Sequence, residues 1–229
     1  MKHFDLLLWD VDGTLLDFKA AEVAAIRALF ARFGMGECPD DMLERYSALN
    51  QKYWKRLELG ELTRSQVLVG RFSEFFAREG LDGPGPERFN EAYQQRLGDT
   101  VVFRDRSREL VTSLRGRIPQ YAVSNGTVLA QTRKLRLSGF DQLLDGVFLS
   151  EQVGVEKPSE EFFRRVFAAI GRVDRARTLI VGDSLTSDIL GGNRAGIRAC
   201  WYNPAGAVNE TQARPDYVIR DLNEVLTIL

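Results

Sequence analysis

Hydrophobic residues come in short, nearly unbroken runs along much of the chain: Phe4 to Asp10, Gln120 to Asn125, Gly146 to Ser150, Thr178 to Asp183 and Arg198 to Asn203. Runs this short, without polar alternation, predict strands covered on both faces, as in a parallel sheet. Between them the apolar period lengthens to that of a helix over Thr127 to Ser138, Ser159 to Ile170 and Ser184 to Ala195. This alternation predicts an α/β fold built on an open, doubly wound parallel sheet. Gly139, Gly171 and Gly196 each follow a helical stretch, where a left-handed cap favours glycine.

The segment from about Lys19 to Arg96 is different: it holds no strand run, only successive amphipathic stretches. Val23, Ile26, Phe30 and Phe33 share a helical spacing, as do Leu68, Phe72, Phe75 and Phe76. Pro39-Asp40-Asp41 reads as a helix start, and so does Pro86-Glu87 after the break at Gly83-Pro84-Gly85. The pattern predicts an all-helical unit inserted after the first strand, with its aromatic stripes forming its own core.

Composition narrows the function classes. At 229 residues the chain has room for one core and a modest insertion, and 44% hydrophobic against 28% charged residues places it among folded proteins. Lys and Arg total 31 against 32 for Asp and Glu, so there is no basic excess to track a nucleic acid polymer. No apolar run is long enough for a bilayer, and a strand pattern so close to the first residue leads to the expectation of no secretory leader. Cys38 and Cys200 lie far apart, which predicts two buried free thiols in a cytoplasmic protein. His3, the one histidine, is expected on the surface, and the chain is expected to be a monomer or weak homodimer.

The first strand run ends in Asp10-Val11-Asp12-Gly13-Thr14. A buried, unpaired carboxylate is costly, so such a pair calls for a cation, a proton or a reaction. In open parallel sheets ligands bind outside the carboxyl ends of the strands, near the point where strand order reverses. Those ends would gather Asp10, Asp12, Ser124, Asn125 and Asp183, with Asp188 and Lys157 in the neighbouring segments. As many as four negative charges would then face Lys157 alone. Two such charges about 4 Å apart repel by roughly 4 kcal/mol at an effective dielectric of about 20. A divalent cation resolves this, and an all-oxygen ligand set favours Mg²⁺. Ser124-Asn125-Gly126-Thr127, a small hydroxyl and backbone N–H groups at a helix start, suits an anion. The expected substrate is a small-molecule phosphate ester.

The four elements "DVDGT", "VSNGT", "EKPSEEFF" and "VGDSLTSDILGGNRAG" resemble, in order and spacing, the motifs of the haloacid dehalogenase (HAD) superfamily of phosphohydrolases. The resemblance implies a Rossmann-like core at residues 1–16 and 99–229, a helical cap of the C1 type at residues 17–98, Mg²⁺ dependence and an aspartyl-phosphate intermediate. It makes Asp10 the nucleophile, Asp12 the general acid and base with a raised pKa, and Ser124 and Lys157 further catalytic residues. The metal would be held by Asp10, the Asp12 backbone carbonyl and Asp183. Thr14, Asn125, Gly126 and Asp188 would support the phosphate, with Asp188 orienting Lys157 or metal-bound water. The superfamily's dehalogenases lack the acid at position 12, since halide leaves without a proton, so phosphate ester hydrolysis is favoured.

Leu49 to Phe72 resembles the YjjG-type pyrimidine 5′-nucleotidases of this superfamily. That implies a nucleoside monophosphate, with Asn50, Tyr53, Trp54 and Arg71 toward the base, and Asp17 and Phe18 at the entrance. A phosphatase for sugar phosphates or phosphoglycolate, or a phosphomutase, is the alternative.

Overall fold

The computed structural model describes residues 4–229. Strands β1 (Leu6–Trp9), β2 (Gln120–Ser124), β3 (Gly146–Leu149), β4 (Thr178–Gly182), β5 (Arg198–Tyr202) and β6 (Tyr217–Ile219) form one parallel sheet in the order β3-β2-β1-β4-β5-β6. Each of the five predicted runs contains one strand, and its last residue (Asp10, Asn125, Ser150, Asp183 or Asn203) falls just past the strand end. β6 is an addition: three residues at the sheet edge are too few to show a period.

The apolar runs are continuous because both faces are covered. Leu7 and Trp9 of β1 and Leu179 and Val181 of β4 pack on one side, against Leu110 and Val111 of α5 (Ser107–Leu114) and Leu135 of α6 (Val128–Ser138). Leu6, Leu8 and Ile180 point to the other side, against Phe162, Phe163 and Val166 of the helix Glu160–Ile170. Chain order diverges between β1 and β4, so the crevice outside Trp9 and Gly182 is where such a sheet binds its ligand.

Between β1 and α5 stand four helices, α1 (Phe18–Phe33), α2 (Asp40–Glu58), α3 (Arg64–Glu79) and α4 (Pro86–Gly98). Their apolar faces make a separate core in which Tyr46 stacks on Phe72 at 5.3 Å and Phe89 meets Phe72 edge-on at 4.9 Å. The two chain crossings into this unit run side by side, with the Asp17 N–H donating to the Val102 carbonyl at 2.8 Å. Asp17 accepts the Ala20 N–H at 3.0 Å as the cap of α1 and pairs with Arg104 at 3.3 Å, so it closes a helix instead of lining the entrance; Phe18 does line it.

The remaining helices are short: α7 (Phe140–Leu143), α8 (Ser150–Val153), α10 (Leu190–Ala195) and α11 (Val225–Ile228), with α9 the Glu160–Ile170 helix named above. α10 is preceded by a wide, π-type turn over Leu185–Ile189. Gly139 and Gly196 are left-handed caps, whereas Gly171 ends its helix at φ 98°, ψ −126°, outside that region. Cys200 is buried and Cys38 only half-buried; both are free, and desolvation pushes their thiols up, to about 12 and about 11. His3 lies outside the described residues. Among the described residues no helix is long and apolar enough to cross a membrane.

Candidate active site

The carboxyl ends of β1 and β4 open into a cavity of about 510 Å³ between the sheet and the helical unit, lined by Asp10, Ser124, Lys157, Asp183 and Asp188 from one side and Asn50, Trp54 and Arg71 from the other. A larger, open depression of about 800 Å³ lies elsewhere on the core, among Arg175, Asn193, Arg198 and Arg214, and contains none of the grouped acids.

Asp10 is 7% exposed. One of its oxygens accepts the Thr14 hydroxyl at 3.0 Å and the other the Lys157 ammonium at 2.9 Å. Lys157 is fully satisfied: it also donates to Asp188 Oδ1 at 2.6 Å and to the Val123 carbonyl at 2.8 Å. Asn125 brackets the Lys157 backbone, accepting its N–H and donating to its carbonyl, both at 2.9 Å, so its side chain fixes the lysine loop at the cavity wall. The Ser184 N–H donates to the second Asp188 oxygen at 3.1 Å, which seats Asp188 in the wide turn. The Asp183 N–H donates to Thr14 Oγ1 at 3.1 Å, so buried Thr14 ties the two strand ends together from behind the cavity. Gly13, at φ +93°, passes so close that a Cβ there would stand 2.4 Å from Asp183 Oδ2.

Carboxylate oxygens of Asp10, Asp183 and Asp188 all lie within 4.8 Å of one another. Against these three carboxylates stands the single ammonium of Lys157, so full ionisation leaves two negative charges uncompensated. The titration behaviour follows. Desolvation, then repulsion from Asp188, outweighs the attraction of Lys157 and pushes Asp10 from 3.8 up to about 7. Desolvation, then repulsion from Asp10 and Asp188, pushes Asp183 well above the carboxylate range. Asp183 is open to the crevice, so water offsets part of that desolvation; the repulsion is what a cation would relieve. For Lys157 desolvation acts downward, but Asp10 and Asp188 outweigh it and hold the ammonium above its usual range. An all-oxygen cluster two charges short suits a hard divalent cation, so these residues fit Mg²⁺.

The Asp12 side chain is not part of that cluster. Lys134 of α6 pairs with one of its oxygens and Gln131 donates to the other. Lys157 is therefore not the only cation at the site, and the expectation of a lone lysine is corrected. Lys134 and Gln131 were discoverable: with Thr127 they fall four and three residues apart, a polar stripe on one helical face. The helical unit adds two residues that sequence reasoning passed over. Glu58, at the end of α2, accepts the Thr186 hydroxyl, and desolvation pushes it up to about 7. Arg64, at the start of α3, donates to the Asn125 carbonyl at 2.8 Å and pairs with Glu156 at 3.2 Å. These contacts are made by tertiary docking, for which no local signal exists.

On the helical side, Arg71 is 1% exposed and donates to Asn50 Oδ1 at 2.7 Å and Asn90 Oδ1 at 3.1 Å. Asn50 in turn donates to Glu22 at 2.8 Å. Trp54 sits 5.9 Å from the Arg71 guanidinium. Tyr53 departs from expectation: its hydroxyl donates to Glu74 at 2.7 Å, away from the cavity. The Gly126 N–H donates to Ser124 Oγ at 3.0 Å, bending the loop over the cavity floor.

Residues 4–196 match the family of haloacid dehalogenase-like hydrolases, and the chain is 38% identical over 229 residues to YfnB of Bacillus subtilis, covering 100% of this chain and 97% of that one. The chain belongs to the haloacid dehalogenase-like hydrolases. The solved structure of YfnB, described as bound to magnesium and as revealing interdomain movement, superposes with a TM-score of 0.91 at 36% identity, covering 99% of this chain and 98% of that one. Pyrimidine 5′-nucleotidase PynA of Streptococcus pneumoniae is 35% identical over 227 residues, covering 99% of this chain and 95% of PynA. Pyrimidine 5′-nucleotidase YjjG of Escherichia coli is 28% identical over 226 residues, covering 99% of this chain and 98% of YjjG. L-2-haloacid dehalogenase of Xanthobacter autotrophicus, at 17% identity, 98% coverage of both chains and a TM-score of 0.77, shares the fold.

Proposed function

We propose that this hydrolase is a Mg²⁺-dependent phosphomonoesterase that forms an aspartyl-phosphate on Asp10 and takes pyrimidine nucleoside 5′-monophosphates. The observation that carries the reading is the grouping of Asp10, Asp183 and Asp188 within 4.8 Å around one ammonium, two charges short of balance. Asp10, Asp183 and the Asp12 backbone carbonyl would hold Mg²⁺, which supplies positive charge against the phosphate oxygens. We further read residues 17–98 as the cap and residues 1–16 with 99–229 as the core, acting as a monomer or weak homodimer in the cytoplasm.

The chemistry follows from this chain's own residues. Lys157, already on Asp10, lowers the repulsion between the carboxylate and an incoming phosphate, while Ser124 and the loop at Gly126 receive its oxygens. An Asp10 oxygen bonds to phosphorus as the bond to the leaving oxygen breaks; the electron pair stays on that oxygen, which takes a proton from Asp12. A water oxygen then bonds to phosphorus, its proton passes to Asp12, and the pair of the Asp10 to phosphorus bond returns to the Asp10 carboxylate. A departing halide would need no such proton, so Asp12 speaks for an alkoxide leaving group. At the cap end, Asn50, Arg71 and the Trp54 ring offer a planar, polar wall, which suits a nucleobase. The likeness to two pyrimidine 5′-nucleotidases supports the same choice.

Steady-state rates on a panel of nucleoside 5′-monophosphates, sugar phosphates and phosphoglycolate test the substrate. Pyrimidine nucleotides are expected to lead, and a flat or sugar-led profile refutes them. Turnover of para-nitrophenyl phosphate with Mg²⁺ no higher than that of Asp10→Asn refutes the phosphatase itself.

A further inference from the structure

Thr127, which caps α6, and Gln131 and Lys134 on the face of α6 nearest the site are polar and all buried. Thr127 Oγ1 donates to Gln94 of α4 at 2.8 Å and so ties the cap to the core. Gln131 and Lys134 do something else: they take one oxygen each of the Asp12 carboxylate. Both are only 1% exposed, and the Phe18 ring lies 5.8 Å from the Lys134 ammonium. A lysine sealed in this way is costly unless a carboxylate compensates it. Gly126 gives Gln131 its path, since a Cβ there would stand 2.2 Å from the Gln131 amide nitrogen. The result is that the Asp12 carboxylate is held at α6 and outside the Asp10, Asp183 and Asp188 group.

We propose that Lys134, assisted by Gln131, is a positioning residue that fixes the Asp12 carboxylate on the leaving-group side of the site. The inference rests on the reading of Asp12 as acid and base given above. Asp12 must deliver its proton to one oxygen and collect the next from water, and a carboxylate pinned at both oxygens returns to the same place each time. Among the described residues, the side chains that hold the Asp12 carboxylate are Lys134 and Gln131. Holding such a group to within a fraction of an ångström is what makes its proton transfer effective.

The test compares esters that differ in how much they need a proton. A nucleoside 5′-alkoxide needs one, whereas para-nitrophenolate is a stable anion. Lys134→Met is expected to lower kcat/KM for uridine 5′-monophosphate by about 100-fold while changing that for para-nitrophenyl phosphate by less than about three-fold. Lys134→Arg is expected to restore most of the loss, and Asp12→Asn to show the same selectivity. Adding Lys134→Met to Asp12→Asn is expected to cost nothing further. Gln131→Leu provides a second variant, with a selective loss of about five-fold. The proposal is overturned if Lys134→Met or Gln131→Leu lowers both esters alike, if neither ester responds, or if the losses add in the double variant. If Asp12→Asn itself treats both esters alike, the acid-base reading of Asp12 has failed. If Asp12→Asn is selective and Lys134→Met is not, only the positioning role has failed. Glycerol phosphate runs beside the nucleotide as a second alkyl ester, so rejection of uridine 5′-monophosphate by the wild type counts against the substrate reading alone.

Discussion

Replacing Asp10 by Asn is expected to make the metal-free protein more stable while abolishing its chemistry. At 4.8 Å, the outer limit of the Asp10, Asp183 and Asp188 spacing, each ionised pair repels by about 3.5 kcal/mol at an effective dielectric of about 20. The Lys157 ammonium at 2.9 Å returns part of this. The rise of Asp10 from 3.8 to about 7 expresses the balance, and corresponds to about 4 kcal/mol against its charged form. Because the folded value lies above the unfolded one, the native metal-free protein keeps a proton that the unfolded chain gives up. The contribution of Asp10 to stability is therefore greatest below the unfolded value, is lost as pH rises toward about 7, and changes little above it. Asn carries no charge and escapes that loss. In urea unfolding followed by tryptophan fluorescence, with EDTA present, Asp10→Asn should exceed the wild type by about 2–4 kcal/mol at pH 8 and by about 1 kcal/mol at pH 5. Mg²⁺ should recover the difference for the wild type at pH 8 and do little for the variant. A variant less stable than wild type at pH 8, or a gap that does not change with pH, refutes the electrostatic reasoning.

Two further outcomes follow from the packing. Lys157→Met strands Asp10 and Asp188 around a thioether, and loss of a buried partner of this kind costs about 3–5 kcal/mol in urea unfolding, with a fall in phosphatase kcat of at least about 1,000-fold; a stability change below about 1 kcal/mol contradicts the ion-pair geometry. Phe72, fully buried and in ring contact with Tyr46, Phe89 and Tyr93, is expected to cost about 3–5 kcal/mol as Phe72→Ala in thermal unfolding by circular dichroism; a near-neutral result denies helices α1 to α4 a core of their own.

Local signals account for what was readable in the sequence. β1 to β5 are nearly unbroken apolar runs because helices cover both faces, and the residue after each strand marks the rim where the site forms. The acids and Lys157 announced themselves as charges that a sheet's rim would not tolerate without a partner. Misses came where the signal was short or distant. β6 has three residues, and α5 has eight and is preceded by Arg106, a left-handed residue that supplies no side-chain cap. Asp17 is a helix cap, Tyr53 turns to Glu74, and Gly171 ends its helix without a left-handed turn, because each answers to a partner or geometry that spacing does not encode. Lys134 and Gln131 lay on a readable helical stripe, but only the docking of α6 beside β1 shows that they meet Asp12. Glu58 and Arg64 reach the sheet side of the cavity through the fold of the helical unit alone.

Mass analysis of enzyme quenched in acid while hydrolysing its best substrate with Mg²⁺ shows whether Asp10 carries the phosphoryl group during turnover. A phosphoryl adduct is expected on the peptide containing Asp10, absent from Asp10→Asn and from enzyme stripped of metal. A phosphoryl group on any other residue, or turnover with no covalent adduct at any quench time, would contradict it.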